Sequence, residues 1–148
     1  MCDNIHSSAR APAVWATAKR AAEQFSRLAA MSANSPEAIA AGSCFQWLKH
    51  YAKFVHHELL IRRFIGEAGH LQGLISPEVF VQMARPEGDC AIYTMCACAM
   101  LEAFGIPWEI VTVKVSRREP REYSHVYLYV VLPDGSRMPL DASHGDYP

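Results

Sequence analysis

From Ala11 to Met31 the apolar positions Trp15, Ala18, Ala22, Phe25 and Leu28 recur at helical spacing in an alanine-rich background. This pattern predicts a helix with those five side chains toward the core. Asn34 reads as its stop. Ser35-Pro36-Glu37 then supplies an N-cap, a first-turn proline and a first-turn acid for a second helix. That helix is expected to carry Ile39, Ser43, Trp47, Tyr51 and Phe54 on one face. Residues 56–75, HHELLIRRFIGEAGHLQGLI, have no clear period, and a short strand or helix leading into a glycine-punctuated loop is expected there. Ser76-Pro77-Glu78 repeats the helix-start signature before VFVQMA, and RPEG interrupts the chain ahead of Asp89.

The run from Cys90 to Phe104 is apolar on every side, the mark of a helix buried inside a domain. Gly105 ends it and Pro107 prevents its resumption. The period then switches to two. WEIVTVKV (108–115) and YSHVYLYVV (123–131) read as strands. SRREPRE between them is a charged connection, and PDG (133–135) turns the chain into a last short strand, SRMPLDAS. Helices followed by an antiparallel sheet make an α+β fold. It comprises N-terminal helices, a buried central helix carrying Cys90, and a C-terminal antiparallel β-sheet. At 148 residues the chain is expected to be a single domain, 1–148, with a helical N-terminal part (1–75) and a catalytic core (76–148).

Composition changes this picture little: 51% hydrophobic and 20% charged residues are ordinary for a soluble protein. A net charge of −1 without basic or acidic runs argues against nucleic acid and anionic membranes as partners. The five cysteines, Cys2, Cys44, Cys90, Cys96 and Cys98, are odd in number and irregular in spacing, which favours a reducing compartment over a disulfide framework. MCDNIHSSARAPAVW has no apolar h-region, and no stretch reaches the roughly 18 apolar residues of a spanning helix. A cytoplasmic location is expected, and nothing in the sequence fixes the oligomeric state.

The chemistry concentrates in GDC, residues 88–90. With Asp89 as N-cap, Cys90 opens the buried helix. The positive end of the helix dipole is expected to lower its thiol pKa, and unpaired N–H groups there suit an oxyanion beside the sulfur. His125 lies in a strand among β-branched and aromatic neighbours, and Asp141 near the end of the next. PDG suits a three-residue loop, with Pro133 at the first corner and Gly135 in the left-handed region. That loop pairs Leu132 with Ser136, sets His125 opposite Ser143, and makes Asp141 its diagonal neighbour on the same face. Diagonal Cβ atoms lie about 7–8 Å apart or less, within reach of an imidazole and a carboxylate. A two-residue loop would send Asp141 to the other face.

GDC opening an apolar helix that ends LEAFGIP, then SHVYLYV, then LPDGSRMPLDAS, resembles the transglutaminase-like superfamily over roughly residues 76–144. The resemblance implies a papain-like site with Cys90 as nucleophile, His125 as general base and then acid, and Asp141 as the group that orients it. It also implies an α+β core and a thiol-dependent acyl-transfer enzyme without cofactor or metal, acting on a peptide, protein or amide. A cysteine peptidase or amidase is the first expectation. Transglutamination, or a non-catalytic binding or assembly protein of phage or prophage that keeps the fold, are the alternatives. Many relatives carry acids just after the cysteine, where Ala91 and Ile92 stand here. Trp47 and Tyr51 look like the helix that precedes the catalytic one in relatives.

Other signals have blander readings. Cys96 and Cys98 are one residue apart on a helix, which does not suit a zinc half-site. His56-His57-Glu58 lacks the second histidine of a metalloprotease helix. His144 competes with His125 as base but follows Asp141 in the chain. Trp47 is a core residue first and an oxyanion donor second.

Overall fold

The computed structural model describes residues 1–33, 35–56, 59–60, 75–115, 121 and 123–144. Five helices and two small sheets occur among them: α1 (Cys2–Ala9), α2 (Pro12–Ala29), α3 (Pro36–Tyr51), β1 (Lys53–Phe54), α4 (Pro77–Gln82), β2 (Glu87–Gly88), α5 (Cys90–Ala103), β3 (Trp108–Val113), β4 (His125–Val131) and β5 (Arg137–Leu140). The fold is α+β as expected. Most of the segment expected to be loop-rich, 56–75, and nearly all of SRREPRE lie outside the described residues.

α5 is the axis of the core. Every side chain from Ile92 to Leu101 is buried, and α1, α2, α3, α4, β3 and β4 all pack against α5. Val126, Leu128 and Val130 of β4 are buried, and Leu128 and Val130 join Leu140 and the helix in one apolar cluster. The sheet runs β3-β4-β5, antiparallel throughout. Gly105 ends α5 at φ +71°, where a Cβ would be strained.

Local chemistry set the helix starts. Ala38 N–H donates to Ser35 Oγ at 3.1 Å, and Val79 N–H to Ser76 Oγ at 3.4 Å. The α2 stripe differs from expectation. Val14, Thr17, Ala18 and Ala21 face the core, whereas Trp15 and Leu28 are each 48% exposed. α2 lies mainly along α3, and small side chains let two helices approach where a Trp would hold them apart. On α3, Ser43 and Trp47 are buried, Ile39 is half-buried and Tyr51 is exposed. Phe54 falls beyond the helix, because α3 stops at Tyr51 and the chain extends into β1. That two-residue strand pairs parallel with β2, Phe54 opposite Gly88. It thereby ties the end of α3 to the start of the helix that carries Cys90.

Candidate active site

Asp89 caps α5 as the sequence implied: its Oδ1 accepts the Ile92 N–H at 3.0 Å. Cys90 is the first helical residue and half-buried. Thr94, one turn on, donates from Oγ1 to the Val126 carbonyl at 3.1 Å, and the Val126 backbone N–H lies close enough to the Cys90 thiol to pull its pKa down. The thiol is therefore seated against the strand position next to His125. Ladder continuity would pair Val126 with Ala142, but β5 ends at Leu140. The short strand thus leaves a backbone N–H and C=O of β4 for the helix to use.

Burial raises the Cys90 thiol above its ordinary pKa. The Asp89 charge pushes the same way, while the backbone N–H groups of Val126, Ala91 and Cys90 itself pull it down without reversing the shift. This corrects the expectation of a lowered pKa: desolvation outweighs the helix start. The sulfur at rest is a thiol and needs a base to ionise it.

The three-residue loop forms as its chemistry required. Gly135 sits at φ +80°, and Leu132 N–H donates to Ser136 O at 2.9 Å. Pairing of Val131 with Arg137 and Leu128 with Leu140 is the register that sets Asp141 diagonal to His125. His125 Nε2 and Asp141 Oδ2 are 2.6 Å apart. The other carboxylate oxygen, Oδ1, accepts from Ser143 N at 3.2 Å, Ser143 Oγ at 2.6 Å and His144 N at 3.2 Å. These bonds curl the backbone and stop β5. Burial alone would raise the Asp141 pKa, but bonds from Ser143 and His125, the His125 charge and the His144 N–H leave it lowered.

Three neighbours complete the surroundings of the site, and of these the sequence offered only His144, as a competing base. His144 meets His125 edge-on, ring centroids 4.8 Å apart at 85°. Phe54 lies 5.3 Å from His144 and 6.0 Å from Tyr93, so β1 walls one side. Thr94 is the third. Its signal was its place one turn after Cys90, on the same helix face. The structure does not gather the remaining candidates here. Cys96 and Cys98 are buried mid-helix, with burial pushing both thiols up. Trp47 is buried against Tyr51 and belongs to the core. A cavity of about 500 Å³ lies at the far end of α5, lined by Pro36, Phe104, Ile106, Pro107 and Leu132 among others. It is separated from Cys90 by the length of the helix.

The family model of the transglutaminase-like superfamily matches residues 29–142. The chain belongs to the transglutaminase-like superfamily. The match begins at the end of α2, so it takes in α3 and β1 as well as the core residues that carry the motifs. No curated protein and no solved structure matches the chain. The superfamily is generally enzymatic, of the cysteine peptidase and transglutaminase kind, and this fold is compatible with thiol-dependent acyl transfer. Among the described residues, no helix is long and apolar enough to cross a membrane.

Proposed function

We propose that this transglutaminase-like chain is a thiol-dependent acyl-transfer enzyme that hydrolyses a peptide or carboxamide bond. Cys90 is the nucleophile, His125 the base and acid, and Asp141 the group that sets the imidazole. The observation that carries the reading is the 2.6 Å pairing of His125 Nε2 with Asp141 Oδ2. A carboxylate there holds the proton on Nε2, so Nδ1 has a lone pair to receive the thiol proton.

The sulfur gives its proton to Nδ1 and bonds the substrate carbonyl carbon. The oxyanion lies by the N–H groups at the start of α5. Nδ1–H then protonates the departing amine as its C–N bond breaks, leaving a thioester. Water, deprotonated by Nδ1, attacks the thioester carbon. The C–S bond breaks, the acid product leaves and the thiol is restored. Hydrolysis is preferred because water needs no second binding site, and an amine in its place would give transglutamination.

The raised Cys90 pKa favours a second reading, a binding or assembly protein whose thiol stays protonated. Alkylation separates the two. Iodoacetamide should modify Cys90 faster than the exposed Cys2, with a pH profile that His125→Ala abolishes. Equal rates for Cys90 and Cys2, unchanged in that variant, would sink the enzymatic reading. A peptide library read by mass spectrometry, with and without an added primary amine, then tells cleavage or deamidation from cross-linking.

A further inference from the structure

We infer that His125, Asp141 and His144 form a site for a divalent cation of the zinc class. One donor atom from each lies within 4.8 Å of the other two. Two imidazoles and a carboxylate suit borderline cations such as Zn²⁺, whereas Mg²⁺ and Ca²⁺ prefer all-oxygen sets.

The three residues come from two short pieces of backbone. His125 opens β4, and the turn after β5 supplies both Asp141 and His144. Asp141 Oδ1 closes that turn through the Ser143 and His144 N–H groups, each at 3.2 Å. Ser143 Oγ, 2.6 Å from the same oxygen, fixes the carboxylate so that Oδ2 faces His125. Phe54 packs on the His144 ring at 5.3 Å. Such supporting contacts are what hold metal ligands in place. The two imidazoles stand at 85°, so neither ring covers the other. His144 is exposed while its two companions are half-buried, which gives an ion an entry path and leaves a side open for a water ligand.

At rest one proton lies between His125 Nε2 and Asp141 Oδ2. Two ligands of a tetrahedral zinc sit about 3.3 Å apart at zinc–ligand distances of about 2.0–2.1 Å. Entry of the ion must therefore widen the 2.6 Å pair by about 0.7 Å. The Nε2–H bond breaks while Nδ1 takes up a proton through solvent, so the ring stays neutral with its one N–H on Nδ1, and Nε2, Oδ2 and a His144 nitrogen each donate a lone pair, with no change of oxidation state. On the reading proposed above, and resting on it, the bound ion removes the base from Cys90 and silences the enzyme.

The test titrates zinc chloride into the EDTA-stripped, dialysed full chain by calorimetry, with histidine ring-nitrogen NMR in parallel. Binding should weaken at least tenfold in His144→Ala, the scale seen when even a supporting partner is lost, and persist in Cys90→Ser. The ring signals of His125 and His144 should shift together as zinc is added. Unaltered binding in His144→Ala, loss of binding in Cys90→Ser, or unmoved His125 and His144 signals at saturation would each overturn the site. Should His144→Ala lose its circular dichroism spectrum, the NMR shifts of the unmodified chain decide. Alkylation of Cys90 in metal-free protein keeps the two proposals apart. Slow alkylation with intact zinc binding removes the enzyme and leaves the site. Fast alkylation with no zinc binding removes the site alone.

Discussion

Asp141 divides its two oxygens between two tasks, and that division makes one substitution informative. Oδ2 faces His125, while Oδ1 receives three donors from Ser143 and His144. In Asp141→Asn the carbonyl oxygen has to face those donors, because an amide N–H₂ cannot accept from them. The NH₂ group then points at Nε2, which must become an acceptor, and the ring proton moves to Nδ1. His125 can no longer take a proton from the thiol. Asp141→Asn is therefore expected to keep its fold yet slow acyl transfer and Cys90 alkylation by about 10²–10⁴-fold, the usual scale of general acid–base catalysis. Asp141→Ala removes the turn as well and should add a loss of thermal stability. Stopped-flow alkylation beside a melting curve separates the two effects. An Asn variant with an unslowed thiol would show that the carboxylate does not set the tautomer.

At the scale of elements, the start of α5 depends on a glycine whose reason lies in packing. A Cβ on Gly88 would meet Ile92 Cγ2 at 2.8 Å, Ile92 Cβ at 3.0 Å and Phe80 Cε2 at 3.1 Å. Ile92 is held by the Asp89 cap, and a β-branched carbon cannot swing aside. Gly88→Ala should cost about 1–3 kcal/mol by overpacking and shift the cap that positions Cys90, seen as a lower urea midpoint and slower alkylation together. Thr94→Val leaves the Val126 carbonyl without its helix donor and should cost about 1–3 kcal/mol, the penalty of a buried acceptor left unpaired. An unchanged urea midpoint in either variant would remove these contacts as determinants of the helix start. What could be read from sequence divides along the same line. The Asp89 cap, the Gly105 stop and the PDG loop are decided within a few residues, so the register joining His125 to Asp141 was accessible. The core stripe of α2, the two-residue β1–β2 pair and the arrival of Phe54 and His144 at the site depend on how elements approach one another, which no local pattern encodes. His144 was set aside for its place after Asp141, yet the Asx turn at Asp141 is what brings it back.

The whole molecule carries ionisable groups whose shifts oppose each other at the two ends of the pH scale. Asp141 titrates below its ordinary value, so it adds stability above the ordinary carboxylate range of about pH 4 and loses it as pH falls through the lowered pKa. The buried thiols act in the other direction. Burial pushes Cys44 up to about 12, and moves Cys96 and Cys98 upward as well. In the unfolded chain each ionises near about pH 8.5, while in the folded chain each keeps its proton. Folding is thus unaffected by these groups below about pH 8.5 and is progressively opposed above it, until the folded thiols themselves ionise. One retained proton corresponds to a slope of about 1.4 kcal/mol per pH unit for each fully engaged thiol. The alkaline limb should therefore be steep, with stability falling sharply between about pH 9 and pH 11 in the presence of reductant. Urea unfolding at fixed pH steps measures it. Cys44→Ala should flatten the limb by about one proton's worth even as the lost side chain lowers stability at pH 7. A limb as steep in Cys44→Ala as in the unmodified chain would mean that this thiol meets solvent before the molecule unfolds.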